Sequence, residues 1–205
     1  RAKSSDKVVD LGTGTGILPL LIWAKFRPRH IVGIELDEAT ADMAARSIIA
    51  NDLEKSIDII HADLKFSPEI LGRGKFSLVV SNPPYIRLGG GEHGISGPRA
   101  LARHEIGCTF DDVAKAATAL LVPSGRFALV HRPNRLADVF CSLKGHGLEP
   151  KLLRTVHTRP EDAPTMVLIS SVKGAAPGLK VGPPLVLYKE DGTYTEETMA
   201  IYFGA

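Results

Sequence analysis

Residues 7–16 read K-V-V-D-L-G-T-G-T-G, and this stretch decides the fold. The apolar run Lys7–Leu11 predicts a short buried strand, and the three alternating glycines after it predict a tight turn. Ile17–Phe26 then carries apolar residues at helical spacing and stops before Pro28. A strand, a glycine-rich turn and a helix in this order are typical of the opening of a doubly wound α/β sheet.

The glycine spacing indicates what kind of ligand the turn would hold. A dinucleotide fingerprint, G-x-G-x-x-G, would place its last glycine at Ile17. The chain instead has D-x-G-x-G-x-G, with Asp10 at the end of the strand. A carboxylate there suits a ligand with a cationic head better than a pyrophosphate. A ligand-free tight turn between strand and helix is the alternative interpretation.

Acidic residues also follow the next two predicted strands. The second strand, His30–Glu35, ends in Glu35, and Asp63 follows a third strand predicted over residues 57–60. Because parallel strands bring their carboxyl ends to one edge of a sheet, we expect both acids to face one crevice with Asp10. Three carboxylates beside a glycine turn predict a site for an adenosine that carries a positive charge.

The fourth predicted strand, Phe76–Ser81, leads into the motif S-N-P-P-Y. Each proline removes a backbone donor and fixes φ, so the Asn82 amide and the Pro83 carbonyl become two acceptors in a fixed geometry. Tyr85 adds a flat ring beside them. The motif predicts a binding site for a planar group that carries an amine. The alternative interpretation is a surface turn that the prolines make rigid.

Composition narrows the class of protein. The 205 residues predict one domain, and a net charge of +2 is too small to argue for nucleic-acid binding by itself. Two cysteines and seven histidines have no metal-ligand spacing, and no apolar run reaches ~18 residues. We therefore expect a cytoplasmic protein with reduced thiols, no metal site and no membrane span.

Two later segments carry further expectations. Residues 87–104 are rich in glycine and predict a flexible loop that orders over a substrate, with Arg87 and Arg99 available for phosphates. Arg132 and Arg135 belong to a stretch of positive charge that predicts a phosphate-binding rim. Residues 174–205 are expected to pack on the edge of the sheet as a C-terminal extension.

Taken as a set, V-V-D-L-G-T-G-T-G, I-E-L-D, A-D-L and S-N-P-P-Y resemble the class I S-adenosylmethionine-dependent methyltransferases that methylate amines on planar groups. The ending P-L-V-L-Y-K-E-D-G-T-Y-T-E-E resembles the bacterial tRNA(Val) adenine-N6 methyltransferases, which modify the adenine 3′ of the anticodon. The resemblance implies a three-layer, Rossmann-like sheet of seven strands in the order 3-2-1-4-5-7-6, the last antiparallel. It covers residues 1–205 as one domain, and we expect an N-terminal segment of the family to be lacking.

The resemblance also implies S-adenosylmethionine as cofactor, tRNA as partner and a role for each matching residue. Asp10 and the glycine turn would hold the methionine part, Glu35 the ribose and Asp63 the adenine amine. The implied cofactor-binding set is Asp10, Gly12, Thr13, Gly14, Gly16, Glu35, Leu36, Asp63, Leu64 and Asn82. The implied catalytic set is Asn82, Pro83 and Tyr85, and the implied substrate-binding set is Pro84, Tyr85, Arg87, Arg99, Arg132 and Arg135.

Two other functions stay open at this point. Protein glutamine-amide methyltransferases, which act on release factors or ribosomal proteins, share the N-P-P-Y turn because a glutamine amide presents the same planar amine; they carry a helical domain upstream. A module that binds a nucleoside or RNA without catalysis is the other possibility. The intact motif argues against it, because binding alone does not require this motif.

Overall fold

The computed structural model describes residues 2–83 and 108–204. The strands are β1 (Lys7–Leu11), β2 (His30–Glu35), β3 (Ile57–His61), β4 (Phe76–Ser81), β5 (Leu121–His131), β6 (Leu148–His157), β7 (Met166–Lys173), β8 (Lys180–Val181) and β9 (Leu185–Val186). The helices are α1 (Ile17–Phe26), α2 (Glu38–Ala50), α3 (Ser67–Leu71), α4 (Phe110–Leu120), α5 (Leu136–Gly145) and α6 (Glu196–Phe203).

The strands form one mixed sheet. The order is β3-β2-β1-β4-β5-β7-β6, and β7 is antiparallel to both of its neighbours while the other pairs along this path are parallel. The predicted α/β class, strand order and antiparallel strand are therefore confirmed. The sheet is wider than the seven strands expected, because β8 and β9, both within residues 174–205, pair with the outer edge of β6.

Helices cover both faces of the sheet, which gives three layers with two apolar cores. On one face, α1 and α2 pack through Ile22 and Ile48 against the strands. On the other face, α4 and α5 pack around the fully buried Phe127. Neighbouring residues of β1, Val8 and Val9, belong to different cores because side chains alternate along a strand. A strand buried on both sides is mainly apolar, as Val8, Val9 and Leu11 of β1 are.

The residues Pro123-Ser124-Gly125 predict a turn before a strand that begins at Arg126, but β5 begins earlier, at Leu121. Leu121 already pairs with Phe76 of β4, whereas Arg126 pairs with Leu78. Residues 122–125 therefore form a bulge, in which Ser124 has a φ of 61°. The physical reason is burial: Leu121 is fully buried and stays on the sheet, while Pro123 and Ser124 are exposed.

Asp6, which is 4% exposed, forms an ion pair with Arg126 at the end of the sheet where β1 and β4 begin. Its carboxylate accepts hydrogen bonds from the Lys3 backbone N–H (2.7 Å), the Ser77 hydroxyl (2.8 Å) and the Arg126 guanidinium (2.5 Å). Burial acts to raise the pKa of Asp6, but these donors and the charge of Arg126 outweigh it, and the pKa lies below its ordinary value of 3.8.

Asp6→Asn tests this contact through the pH dependence of stability. Because the pKa of Asp6 is lower in the folded chain, its contribution is present above pH 3.8 and is lost as the pH falls through the folded-state pKa. We expect the variant to lose about 1–3 kcal/mol of unfolding free energy at pH 7 and much less near pH 3. Urea unfolding at both pH values measures the difference.

Asp58→Asn is the matched control for this test. Asp58 pairs with His30 at 2.9 Å, but its side chain is 56% exposed, so its substitution should cost about 0–1 kcal/mol. An equal loss in both variants, or a loss at Asp6 that does not shrink in acid, would contradict the assignment.

Candidate active site

The candidate site lies at the carboxyl ends of the central strands, where two cavities open. A cavity of about 240 Å³ lies beyond β1, β2, β3 and β4 and against the start of α4. A wider cavity of about 790 Å³ lies between the glycine turn, α1 and the strands from β4 to β7. Gly12, Ser81 and Asn82 line both cavities. A ligand spanning the two would therefore pass the point where β1 and β4 end.

The glycine turn leaves room for such a ligand. The backbone φ values of Gly12, Gly14 and Gly16 are 74°, 58° and 80°. Residues other than glycine rarely adopt this left-handed conformation. A Cβ added at Gly12 or Gly14 would meet no atom within 4 Å, whereas one at Gly16 would lie 3.2 Å from the Ala44 Cβ. The first two glycines thus open the turn toward the cavities, and the third lets the turn pack against α2.

Asp10, the last acid before the turn, is 1% exposed and lines the wider cavity. One carboxylate oxygen, Oδ2, accepts a hydrogen bond from the Thr13 hydroxyl at 2.7 Å. The other, Oδ1, is buried, and no donor in the described part of the chain reaches it. Burial and, to a smaller extent, the Glu35 carboxylate raise the pKa of Asp10 to about 7, although the Thr13 hydrogen bond acts to lower it. The geometry suits a cationic partner at Oδ1.

Glu35 holds the glycine turn to the end of β2. Its side chain is 6% exposed and accepts three backbone N–H groups: Gly14 at 2.8 Å, Leu36 at 2.9 Å and Asp37 at 3.0 Å. An ionised carboxylate has about four acceptor positions, so roughly one is left for a hydroxyl group in the smaller cavity. Sequence reasoning placed Glu35 in the site but missed this role in shaping the turn.

Asp63 and Leu64 line the smaller cavity at the end of β3, together with Leu36 and Glu35. The Asp63 carboxylate accepts the Lys65 backbone N–H at 2.9 Å and lies 3.2 Å from the Lys65 ammonium. This pairing was not foreseen, although the spacing of two residues was a possible signal. The Asp63 carboxylate therefore lines the smaller cavity with its negative charge partly balanced by the Lys65 ammonium.

The end of β4 brings the motif to the junction of the cavities. Asn82 is exposed and lines both, and the buried Pro83 lines the smaller one. Four other site residues predicted from the sequence lie outside the described residues: Pro84, Tyr85, Arg87 and Arg99. The structure thus brings together every predicted cofactor-binding residue except Gly16, which packs against α2 behind the turn.

The two predicted arginines after β5 do not join this group. Arg132 and Arg135 flank or lie in a short 3-10 turn, Pro133–Arg135, and neither lines either cavity. The Arg135 guanidinium donates to the Asp138 carboxylate at 2.7 Å, which satisfies part of its charge within the chain.

Four cavity residues around the start of α4 were missed because they lie far along the chain from the glycine turn and the acids. They are Cys108, Thr109, Phe110 and Val113, which line the smaller cavity. Burial, with Asp112 and Asp63 nearby, raises the pKa of the Cys108 thiol to about 11. The thiol is therefore protonated at neutral pH and unsuited to act as a nucleophile. The capping box of Thr109 and Asp112 was the available sequence signal for this position.

Among the residues that the structure describes, no group of three or more His, Cys, Asp or Glu side chains could hold a metal ion. Within residues 2–83 and 108–204, no helix is long and apolar enough to cross a membrane.

Several known proteins to which this chain is similar are methyltransferases. A family model described as the methyltransferase small domain matches residues 1–96. A protein of Porphyromonas gingivalis is 30% identical over 194 residues, covering 92% of this chain and 75% of the relative. One of Photobacterium profundum is 25% identical over 197 residues, covering 95% and 81%. Both relatives are named tRNA1(Val) (adenine(37)-N6)-methyltransferase.

Solved structures support the fold. A predicted O-methyltransferase of Agrobacterium tumefaciens superimposes with a TM-score of 0.76 at 21% identity, covering 96% of this chain and 88% of that one. A geranyl diphosphate C-methyltransferase of Streptomyces coelicolor, crystallised with S-adenosyl-L-homocysteine, gives 0.62 at 13% identity, covering 84% and 72%. The resemblance seen in the sequence is thus confirmed, and the chain belongs to the family of tRNA1(Val) (adenine(37)-N6)-methyltransferases.

Proposed function

We propose that this chain transfers a methyl group from S-adenosylmethionine to the exocyclic N6 amine of an adenine in tRNA, the adenine 3′ of the anticodon of tRNA(Val). The observation that carries the proposal is the place of Asn82. It lines the cavity that holds Glu35 and Asp63 and also the cavity that holds Asp10. An acceptor for a target amine therefore stands beside every acid that could hold a cofactor.

The residues present fit S-adenosylmethionine. The unpartnered Oδ1 of Asp10 would accept its cationic methionine end, and the open faces of Gly12 and Gly14 leave room for it. Glu35 would take a ribose hydroxyl, and Asp63 the adenine amine, between the apolar Leu36 and Leu64. When bound, the cofactor supplies a methyl group on a positively charged sulfur, which becomes a neutral thioether as the amine nitrogen gains the methyl and releases a proton.

The chain's part in the reaction is to hold the target amine. The lone pair of an adenine amine is delocalised into the ring, which makes the nitrogen a weak nucleophile. Hydrogen bonds from its two N–H groups to the Asn82 side-chain oxygen and the Pro83 carbonyl would favour tetrahedral geometry and release the lone pair. Tyr85, with Pro84, would stack the base after it has turned out of its strand. No strong base is needed, so positioning is the main contribution.

Contacts with the RNA backbone complete the proposal. Arg132 and Arg135 follow β5 at the same edge of the sheet as Asn82, where phosphates of a bound tRNA would pass. Arg87 and Arg99 would add contacts from the glycine-rich segment. We place the reaction in the cytoplasm, where tRNA is modified.

Methyl transfer from labelled S-adenosylmethionine to unmodified bulk tRNA, followed by nucleoside analysis, tests the proposal. We expect N6-methyladenosine in tRNA(Val), and no label in a transcript of that tRNA with guanine at position 37, the position in the relatives' name. Label on a release-factor glutamine, with none on tRNA, would overturn the proposal in favour of the protein-amide alternative.

Asn82→Ala should separate catalysis from cofactor binding. We expect the rate of transfer at saturating substrates to fall by about 100-fold or more, because the amine loses the acceptor that orients it. Cofactor affinity, measured by calorimetry, should stay within about threefold. Asn51→Ala, at the exposed end of α2, is the matched control and should keep both properties. An equal loss of affinity and rate at Asn82 would contradict this role.

Asp10 should make cofactor binding depend on pH. Its pKa of about 7 means that the carboxyl group must lose a proton to meet a cationic ligand. Affinity should therefore rise by up to about tenfold between pH 6 and pH 8. Asp10→Asn should bind more weakly at pH 8 and lose this dependence, which calorimetry at several pH values would measure.

Asp10→Asn should weaken cofactor binding, but it should stabilise the ligand-free protein. The folded-state pKa of Asp10 lies above its ordinary value of 3.8, so its contribution to stability is full below pH 3.8 and is lost as the pH rises toward about 7. Asp10→Asn should therefore gain thermal stability relative to wild type between pH 4 and pH 8. A gain that is the same at both ends of this range would contradict the assigned pKa.

A further inference from the structure

The last residue of β4, Ser81, carries a buried hydroxyl whose role the reaction as described does not use. The side chain is 2% exposed within an otherwise apolar strand end. Its hydroxyl donates to the Leu11 backbone carbonyl at 2.7 Å. A buried hydroxyl is costly unless it is hydrogen-bonded, and this one has found a partner on the neighbouring strand.

The two residues joined by this bond stand directly before the two functional loops. Leu11 is the last residue of β1 and precedes Gly12, and Ser81 is the last residue of β4 and precedes Asn82. They are also in register across the sheet. The hydrogen bond therefore links the start of the glycine turn to the start of the motif across one strand spacing.

A side-chain hydrogen bond matters at this position because the backbone hydrogen bonds of β4 end there. Pro83 has no N–H group and cannot extend the pairing of β4. At the opposite end of the same strand, the Ser77 hydroxyl accepts the Lys7 backbone N–H at 3.1 Å and donates to Asp6 at 2.8 Å. Serine side chains thus join β4 to the β1 segment at both ends, one at the structural edge and one at the candidate site.

We propose that Ser81 is a positioning residue: its hydroxyl fixes the distance between the glycine turn and Asn82, and hence the alignment of methyl donor and target amine. This inference rests on the proposed function. Misplacement of reacting groups by about 1 Å can cost roughly 100-fold in rate, so a single buried hydrogen bond at this point can matter far more to transfer than to folding.

The chain offers a matched control in Ser171 of β7. Its side chain is 0% exposed, and its hydroxyl has no hydrogen-bond partner among the described residues. Ser171 lines neither cavity. Ser81→Ala and Ser171→Ala remove the same atom from equally buried strand positions, but only the first breaks a hydrogen bond. Ser81→Cys is a second variant that keeps the side-chain volume and replaces the hydroxyl with a weak donor.

The experiment measures transfer to unmodified tRNA, cofactor affinity, thermal midpoint and deuterium uptake in the full chain. For Ser81→Ala and Ser81→Cys we expect kcat to fall by about tenfold or more, with cofactor Kd within about twofold of wild type. Deuterium uptake at residues 12–16 should increase in both. Ser171→Ala should match wild type in kcat and uptake, with a thermal midpoint at or above that of wild type, because it removes an unpaired buried hydroxyl. The Ser81 variants should lose no more than about 4 °C.

Other results would overturn the proposal. An unchanged kcat in both Ser81 variants would exclude a positioning role, and a joint loss of kcat, cofactor affinity and midpoint would make Ser81 merely structural. If wild type transfers no methyl group to tRNA, the proposed function has failed, and the link is judged by exchange alone. In that case, the link between Ser81 and the glycine turn would be overturned if both Ser81 variants showed the same deuterium uptake at residues 12–16 as wild type.

Discussion

The parallel pairing of β1 between β2 and β4 is the constraint on which the site depends. Leu11 is in register with Ile34 on one side and Ser81 on the other. The residues that follow, Gly12 and Asn82 among them, must therefore emerge side by side at one edge. Motifs separated by some seventy residues along the chain become neighbours, because the sheet places their strand ends side by side and the hydrogen bond from Ser81 to Leu11 joins them.

The glycine turn illustrates how that edge is shaped before any ligand arrives. Backbone N–H groups in a tight turn need acceptors, and Glu35 supplies one to Gly14 while also satisfying Leu36 and Asp37. A buried carboxylate that accepts three N–H groups is stabilised without a cation. The acid predicted to bind a ribose thus also builds the cradle beside it, and these two roles use different acceptor positions of one side chain.

The strands and the place of the acids could be predicted from the sequence, because chemistry and periodicity coincide there. The runs before Gly12 and Asn82 are mostly apolar, and the acids stand at or next to strand ends, so a crevice lined by these acids followed from the strands. The roles of these residues in binding stay predictions. The sequence did not show which residues that are far apart in the chain lie close together in the fold. The capping box at Thr109 indicates where α4 begins, but not that α4 closes the smaller cavity, and the spacing of Asp63 and Lys65 does not by itself show that the two side chains pair. The bulge in β5 likewise arises from tertiary burial of Leu121, which overrides a strong local turn signal.

Two aspartates, one directly before β1 and one within it, show how the same residue type can serve folding and, in the proposed function, binding. Both are almost unexposed, yet the pKa of Asp6 is lowered and that of Asp10 is raised to about 7. Asp10 lies deeper in the protein, and the partners differ: Arg126 meets Asp6, whereas one oxygen of Asp10 meets no donor from the described chain. Burial without a partner destabilises the charged form, so the fold bears a cost at Asp10 that a cationic ligand would offset. A site that is costly when empty and compensated when filled favours binding of a cation in the wider cavity over any neutral or anionic molecule of the same shape.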